Sequence, residues 1–264
     1  MGLTQATRAR EWLLAAERQL PLAPDLDALL GSHGSALVLA PHPDDESLGC
    51  GGLIATCAAA SRTVRVVIIS DGAGSHKRSR AWPPSRLASQ RRQETRQAVA
   101  TLGLDPLRDL LFLDLPDGAV PTVGDRFDRA VGAIRSIAAG SSTIFASWRH
   151  DPHADHTATF AIASAVAQRM GRGTRLFAYP VWGLAFAHPI AGFPLPVEPG
   201  FATPASGVRL DVSRHLAAKR RAIAAHASQT TSLIADDPGG FRIPKELMAL
   251  VLRPFEMFLE ETAE

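Results

Sequence analysis

Short apolar runs recur at helix-length intervals, and this alternation constrains the fold more than any other feature of the chain. Ala36–Ala40, Val64–Ser70, Leu110–Leu113, Thr143–Ser147 and Arg175–Tyr179 each read as a strand. Helical stretches fall between them: Gly52–Ala60, Ser85–Leu102 with Ser85 as N-cap and Gly103 as stop, Phe127–Ala139, and Thr157–Met170. Such βαβ alternation predicts an α/β fold, a mostly parallel sheet with helices on both faces. The 264 residues fit one large domain better than two, and a hydrophobic fraction of 46% supplies its core.

The flanks read differently. Residues 1–34 predict an accessory amphipathic helix and a Pro-containing connector, ahead of a main domain over 35–264. Residues 183–207, with five prolines, predict a long irregular loop of the kind that forms lids or binding loops. Val208–Val212 reads as a strand and Ser213–Ser228 as a helix. A net charge of +2 makes no case for nucleic acid or a membrane surface. No apolar run is long enough for a membrane anchor, and Thr4–Leu20 is broken by charges where a signal sequence would be apolar. Cys50 and Cys57, the only cysteines, predict reduced thiols and a cytoplasmic protein. Oligomeric state, a homo-oligomer included, is not readable from this pattern.

Two charged clusters follow two of the strands. His42-Pro43-Asp44-Asp45-Glu46 comes directly after the first, and His150-Asp151-Pro152-His153-Ala154-Asp155-His156 after the fourth. Ligands of parallel sheets bind at the carboxyl ends of strands, near the point where strand order reverses. Charged groups gathered there are rarely buried unless they are paired or hold a metal. His42 and Asp45 lie three apart, so one tight turn can aim both at a point. His156 is the candidate third ligand, and His150 a weaker one because Pro152 separates it from the next helix. A His₂Asp set suits Zn²⁺, with Fe²⁺ or another divalent first-row ion as alternatives. Zinc held in this way brings the pKa of a bound water to about 7. Asp44, beside a ligand and not needed as one, is the candidate general base. His153 is a candidate to stabilise an oxyanion as imidazolium or to act as general acid, and Asp155 to orient it. A plain helix N-cap is the structural alternative for the Asp pair.

The two clusters, together with Gly49-Cys50-Gly51-Gly52, resemble the LmbE/PIG-L family of zinc-dependent N-acetylglucosaminyl deacetylases from about Ser35 to Gln229. The resemblance implies a Rossmann-like fold and removal of acetate from a small N-acetylated sugar or glycoconjugate. It implies His42, Asp45 and His156 as zinc ligands, Asp44 as base and His153 as oxyanion stabiliser. Arg91, in an Arg-x-x-Glu helix, is implied as a sugar contact. Asp71 and Asp117, each before a glycine, and His226, in a His-x-Ser-Gln ending, match further family positions and are candidates near the substrate. Trp82 is a candidate to stack on a sugar ring. Ala154 stands where the family usually has Pro. Three rivals share parts of this pattern: an amidase acting on another amide such as a thiol conjugate, a metal-dependent phosphoesterase, and a sugar-binding module with a structural metal.

Overall fold

The computed structural model describes residues 6–171 and 173–262, so the extreme ends of both predicted segments, 1–5 and 263–264, lie outside the described residues. In chain order the elements are β1 (Thr7–Arg8), α1 (Ala9–Gln19), α2 (Asp27–Leu30), β2 (Ala36–Ala40), α3 (Asp45–Ala59), β3 (Val64–Ser70), α4 (Pro84–Thr101), β4 (Leu110–Leu115), α5 (Gly124–Ile137) and β5 (Thr143–Ser147). There follow α6 (Ala154–Met170), β6 (Arg175–Tyr179), α7 (Leu184–Ala187), β7 (Gly200–Phe201), β8 (Gly207–Asp211), α8 (Leu216–Ala225), α9 (Ala227–Thr230), α10 (Lys245–Val251) and β9 (Phe255–Glu261).

The main sheet has seven strands in the order β4-β3-β2-β5-β6-β9-β8. The first five are parallel, and β9 and β8 extend the sheet antiparallel. All five residues of β2 and of β5 are buried, as expected of central strands covered on both faces. Helices α3, α4 and α8 pack together, as do α5 and α6, and the two groups cover opposite faces. No helix of the described residues is long and apolar enough to cross a membrane.

Several boundaries differ from the sequence reading by a few residues, and three differ in how a helix starts or is broken. Helix α3 starts at Asp45 rather than Gly52 because its glycines serve close packing. A Cβ on Gly49 would lie 2.2 Å from Tyr179 Cδ2, and one on Gly52 would lie 2.4 Å from Val212 Cγ1. Helix α4 starts on Pro84, which loses nothing at the first turn where its missing N–H has no partner anyway; Ser85 is not a cap. The helix expected over Ser213–Ser228 breaks at His226, between α8 and α9. Strand β9 carries no clear alternation and becomes a strand only by pairing with both β6 and β8.

Lys219 and Glu256 tie this late strand to α3. Lys219 Nζ donates to Glu256 Oε1 at 2.6 Å, and the same carboxylate accepts the Gly52 and Leu53 N–H groups at 2.6 and 2.7 Å. Both side chains are buried, at 1% and 3% exposure. Removing one partner of a buried pair strands the other charge, so Lys219→Met is expected to cost about 3–5 kcal/mol. Urea unfolding of the variant against wild type measures it.

The N-terminal helix packs against α7 and the small β1–β7 pair. Trp12 stacks on Phe201 at 4.3 Å and on Trp148 at 5.9 Å between ring centroids. Within residues 183–207, α7 occupies one end, and β7 pairs with β1 at the other.

Candidate metal centre

Strands β2 and β5 lie side by side, with Leu39 opposite Ala146, at the point where strand order reverses. The segments leaving their carboxyl ends therefore share one crevice. Pro41 and Pro43 cannot donate to a ladder, so β2 stops there. The freed His42 N–H donates to Asp45 Oδ2 at 3.0 Å and closes a tight turn. Asp44 sits in that turn at φ 144°, ψ −27°, a conformation that L residues rarely adopt. Such backbone costs on the order of 1–3 kcal/mol and persists only when its surroundings enforce it.

The turn brings the two clusters together. His42 Nδ1 lies 3.2 Å from Asp45 Oδ2, and His156 Nε2 lies 3.2 Å from the same oxygen. Ligand bonds of about 2.0–2.1 Å in a tetrahedral site put donor atoms about 3.3–3.4 Å apart, so each of these two spacings suits a pair of ligands on one ion. His156 Nε2 is fully buried and has no hydrogen-bond partner, while its Nδ1 meets Asp151 Oδ2 at 2.8 Å. Asp151 thus fixes the ring so that Nε2 is the donor left for an ion. Among the described residues, two three-residue sets have all their donor atoms within 4.8 Å of one another: His42, His153 and His156, and His42, Asp117 and Asp155; Asp45 belongs to neither, its link to the imidazoles being the two 3.2 Å approaches.

The electrostatics agree with this donor geometry. Asp45, Asp117, Asp151 and Asp155 all converge on two imidazoles. Burial opposes ionisation of Asp45, but His156 and His42 outweigh it and hold the carboxyl well below the usual range. Burial also opposes a charge on His156, yet Asp45 and Asp151 push it up to about 9. His42 rises for the same reason, through Asp117, Asp155 and Asp45 against burial. Carboxylates that raise both imidazoles make the site attractive to positive charge, and a dication would compete with protons for the ring nitrogens.

Asp44 lies beside this donor set. Burial raises its pKa and the Arg91 guanidinium lowers it again, leaving it at about 7. His153 moves the other way: burial, then the charge on His42 and His156, lowers it to about 4. Its Nδ1 accepts the Asp155 N–H at 3.2 Å, so the ring is neutral with its proton on Nε2. Of the two roles expected from sequence, oxyanion stabiliser as imidazolium and general acid, this arrangement speaks for a neutral N–H donor. Asp155 also differs from its expected role. Its carboxylate accepts from Gly118 and Val120 N–H and meets His42 Nε2 at 3.1 Å, so it orients His42, and only its backbone N–H touches His153.

A cleft of about 250 Å³ opens over these groups, with His42, Asp44, Asp45, Arg91, Asp117 and His153 in its lining. Arg91 is buried and already donates to Gly72 O, Pro43 O and Asp44 Oδ2, so most of its hydrogen-bonding capacity is spent on the site. Three expected substrate contacts lie elsewhere. Asp71 is absent from the lining and accepts the Ala73 and Asp117 N–H groups, as a turn former does. Trp82 is half-buried under Arg86, whose guanidinium sits 4.0 Å from the ring centroid. His226 is fully buried against Glu46.

What sequence reading missed is the apolar wall of the cleft. Trp182, Phe193 and Phe241 form it, with Trp182 and Phe193 stacked at 4.7 Å. They come from three segments with no shared motif. Asp151 was also passed over, although its place in His-Asp-Pro-His was the signal. Besides His156 it accepts the N–H groups of Val181, Trp182 and Gly183. Asp151→Asn is expected to weaken metal binding about 10–100-fold, measured by chelator competition. A larger groove of about 500 Å³, between α1 and residues 202–207, is lined by no titratable side chain.

Fold and site define an α/β protein with a cation-attracting crevice at the switch point of its sheet. Residues 37–167 match the family model described as PIG-L, GlcNAc-PI de-N-acetylase. These residues form a domain of the LmbE/PIG-L family. Among curated proteins none matches it significantly. Several solved structures share the fold. An N,N'-diacetylchitobiose deacetylase from Pyrococcus horikoshii, bound to its inhibitor, is 19% identical with a TM-score of 0.64, over 96% of this chain and 91% of that one. The zinc-inhibited form of a teicoplanin deacetylase is 18% identical with a TM-score of 0.55, over 86% and 97%. The 4-carboxy-2-hydroxymuconate hydratase of Pseudomonas putida is 22% identical with a TM-score of 0.55, over 74% and 80%.

Proposed function

We propose that the protein is a metal-dependent hydrolase that removes the N-acetyl group from an N-acetylglucosamine-type sugar or glycoconjugate. The observation that carries this reading is the unpartnered, buried His156 Nε2, 3.2 Å from the Asp45 oxygen that His42 also approaches, with Asp44 free of that donor set beside it. Family membership and the deacetylases among the structural neighbours support it.

His42, Asp45 and His156 would hold the ion, Zn²⁺ by donor type and Fe²⁺ as the main alternative. When bound, such an ion polarises the acetyl carbonyl and acidifies a water. Asp44 takes the proton from the attacking water, its carboxylate steadied by Arg91. The Nε2–H of His153 donates to the oxygen that gains charge as the carbonyl carbon becomes tetrahedral. Asp44 then returns its proton to the departing amine, and acetate and the free amino sugar leave. The Trp182–Phe193–Phe241 wall offers a stacking face for the sugar or its aglycone. Unpaired, buried Cys50 and Cys57 fit a cytoplasmic setting.

A phosphoesterase with two metals, about 3.5–4 Å apart, needs two ligand sets. All the candidate donor sets draw on His42, and no second set independent of it is found among the described residues. The hydratase neighbour keeps a lyase on the same fold in view. Acetate release from a panel of N-acetylglucosamine derivatives by zinc-loaded protein tests the reading. Metal-dependent release from at least one member supports it, and full zinc occupancy with no release from any member overturns it.

A further inference from the structure

The strained backbone of Asp44 is gripped from two sides. Arg91 holds its carboxylate at 3.1 Å and the preceding Pro43 carbonyl at 2.7 Å. On the other side, the Asp44 N–H donates to Glu46 Oε2 at 2.9 Å. The second Glu46 oxygen accepts the Ser47 hydroxyl at 2.6 Å and meets His226 Nε2 at 2.9 Å. Glu46, Ser47 and His226 are all fully buried. His226 reaches this carboxylate from the break between α8 and α9, 180 residues along the chain.

A glutamate in the first turn of a helix often accepts the N–H at the helix start, and that alone would stabilise α3. Two features exceed a cap. The N–H being held belongs to a residue at φ 144°, so the bond selects one backbone state from alternatives that L residues prefer. The other oxygen is turned into the protein and tied to an imidazole from a distant element, where an ordinary cap would face water.

We propose that Glu46, backed by His226, is a positioning residue for Asp44: it locks the strained turn that aims the Asp44 carboxylate into the cleft. This rests on the reading of Asp44 as the base. Glu46 touches no reacting atom and acts only through Asp44.

Glu46→Ala, loaded with zinc, is expected to lose about a hundredfold in kcat, the scale of a misplaced catalytic group, with KM and zinc stoichiometry close to wild type. Glu46→Gln, whose carbonyl can still accept the Asp44 N–H, should recover most of that loss. In an Asp44→Ala background Glu46→Ala should cost nothing further, because a residue acting through Asp44 has nothing left to act on. A crystal structure of Glu46→Ala should show Asp44 leaving positive φ. Wild-type kcat in Glu46→Ala, an equal loss in the Asp44→Ala background, or Asp44 unmoved in the crystal would each overturn the proposal. If Glu46→Ala does not fold, His226→Gln carries the same test: a loss in kcat with zinc retained supports the clamp, and wild-type kcat overturns it. If the wild type releases no acetate, the hydrolase reading fails, while the Asp44 backbone in the crystal still decides the clamp.

Discussion

Asp44→Ala is expected to bind its metal as the wild type does and to lose about 10²–10⁴-fold in kcat, the usual contribution of a positioned acid–base group. The expectation follows from where the carboxylate points. Asp45 alone bridges toward both imidazoles, whereas the Asp44 side chain turns to Arg91 and into the cleft. Removing it leaves His42, Asp45 and His156 in place. Arg91 keeps its hydrogen bonds to the Pro43 and Gly72 carbonyls but loses its buried carboxylate partner, so a loss of stability is expected beside the loss of turnover. Asp44→Asn is the companion variant: it keeps a side-chain oxygen for Arg91 and removes only the base. Acetate release and zinc content, measured on the same samples, check both. Wild-type turnover in either variant would remove Asp44 from the chemistry.

Asp45→Ala should behave in the opposite way, losing the metal and with it all measurable turnover. Asp45 is the one anionic group within 3.2 Å of both candidate imidazoles, and it is 1% exposed. Without it the proposed site loses its one anionic ligand, and a two-imidazole remnant holds a divalent ion poorly. Zinc per chain after dialysis is the measurement, expected to fall from about one to near zero for a site lacking its anionic ligand. Zinc retained at full stoichiometry would point to one of the other donor sets, and His153→Ala and Asp117→Ala would then tell them apart.

The contrast between these variants shows how unevenly the site is written in the chain. Asp44 and Asp45 are neighbours with the same side chain, and their proposed roles differ because the turn points the two carboxylates in different directions. The helix start at Asp45 carries its carboxylate back to the His42 N–H, while the φ of Asp44 swings the other toward Arg91. Asp155 gives the same lesson. Its spacing from His153 suggested a pair, but α6 turns its carboxylate onto His42 instead.

Features carried by local pattern were therefore legible in the sequence alone. The parallel strands β2, β3, β5 and β6 are short buried runs that need no distant partner to be recognised. The positions of His42, Asp45, His153 and His156 at two strand ends followed from the same pattern. Tertiary structure alone decided the rest. It determined that β8 and β9 close the sheet antiparallel and that Trp182, Phe193 and Phe241 meet as one wall. It also joined Glu46 to His226 across 180 residues of chain. Periodicity and turn chemistry act over a few residues, whereas each of these depends on side chains whose approach is set only when the whole sheet and its helices have packed.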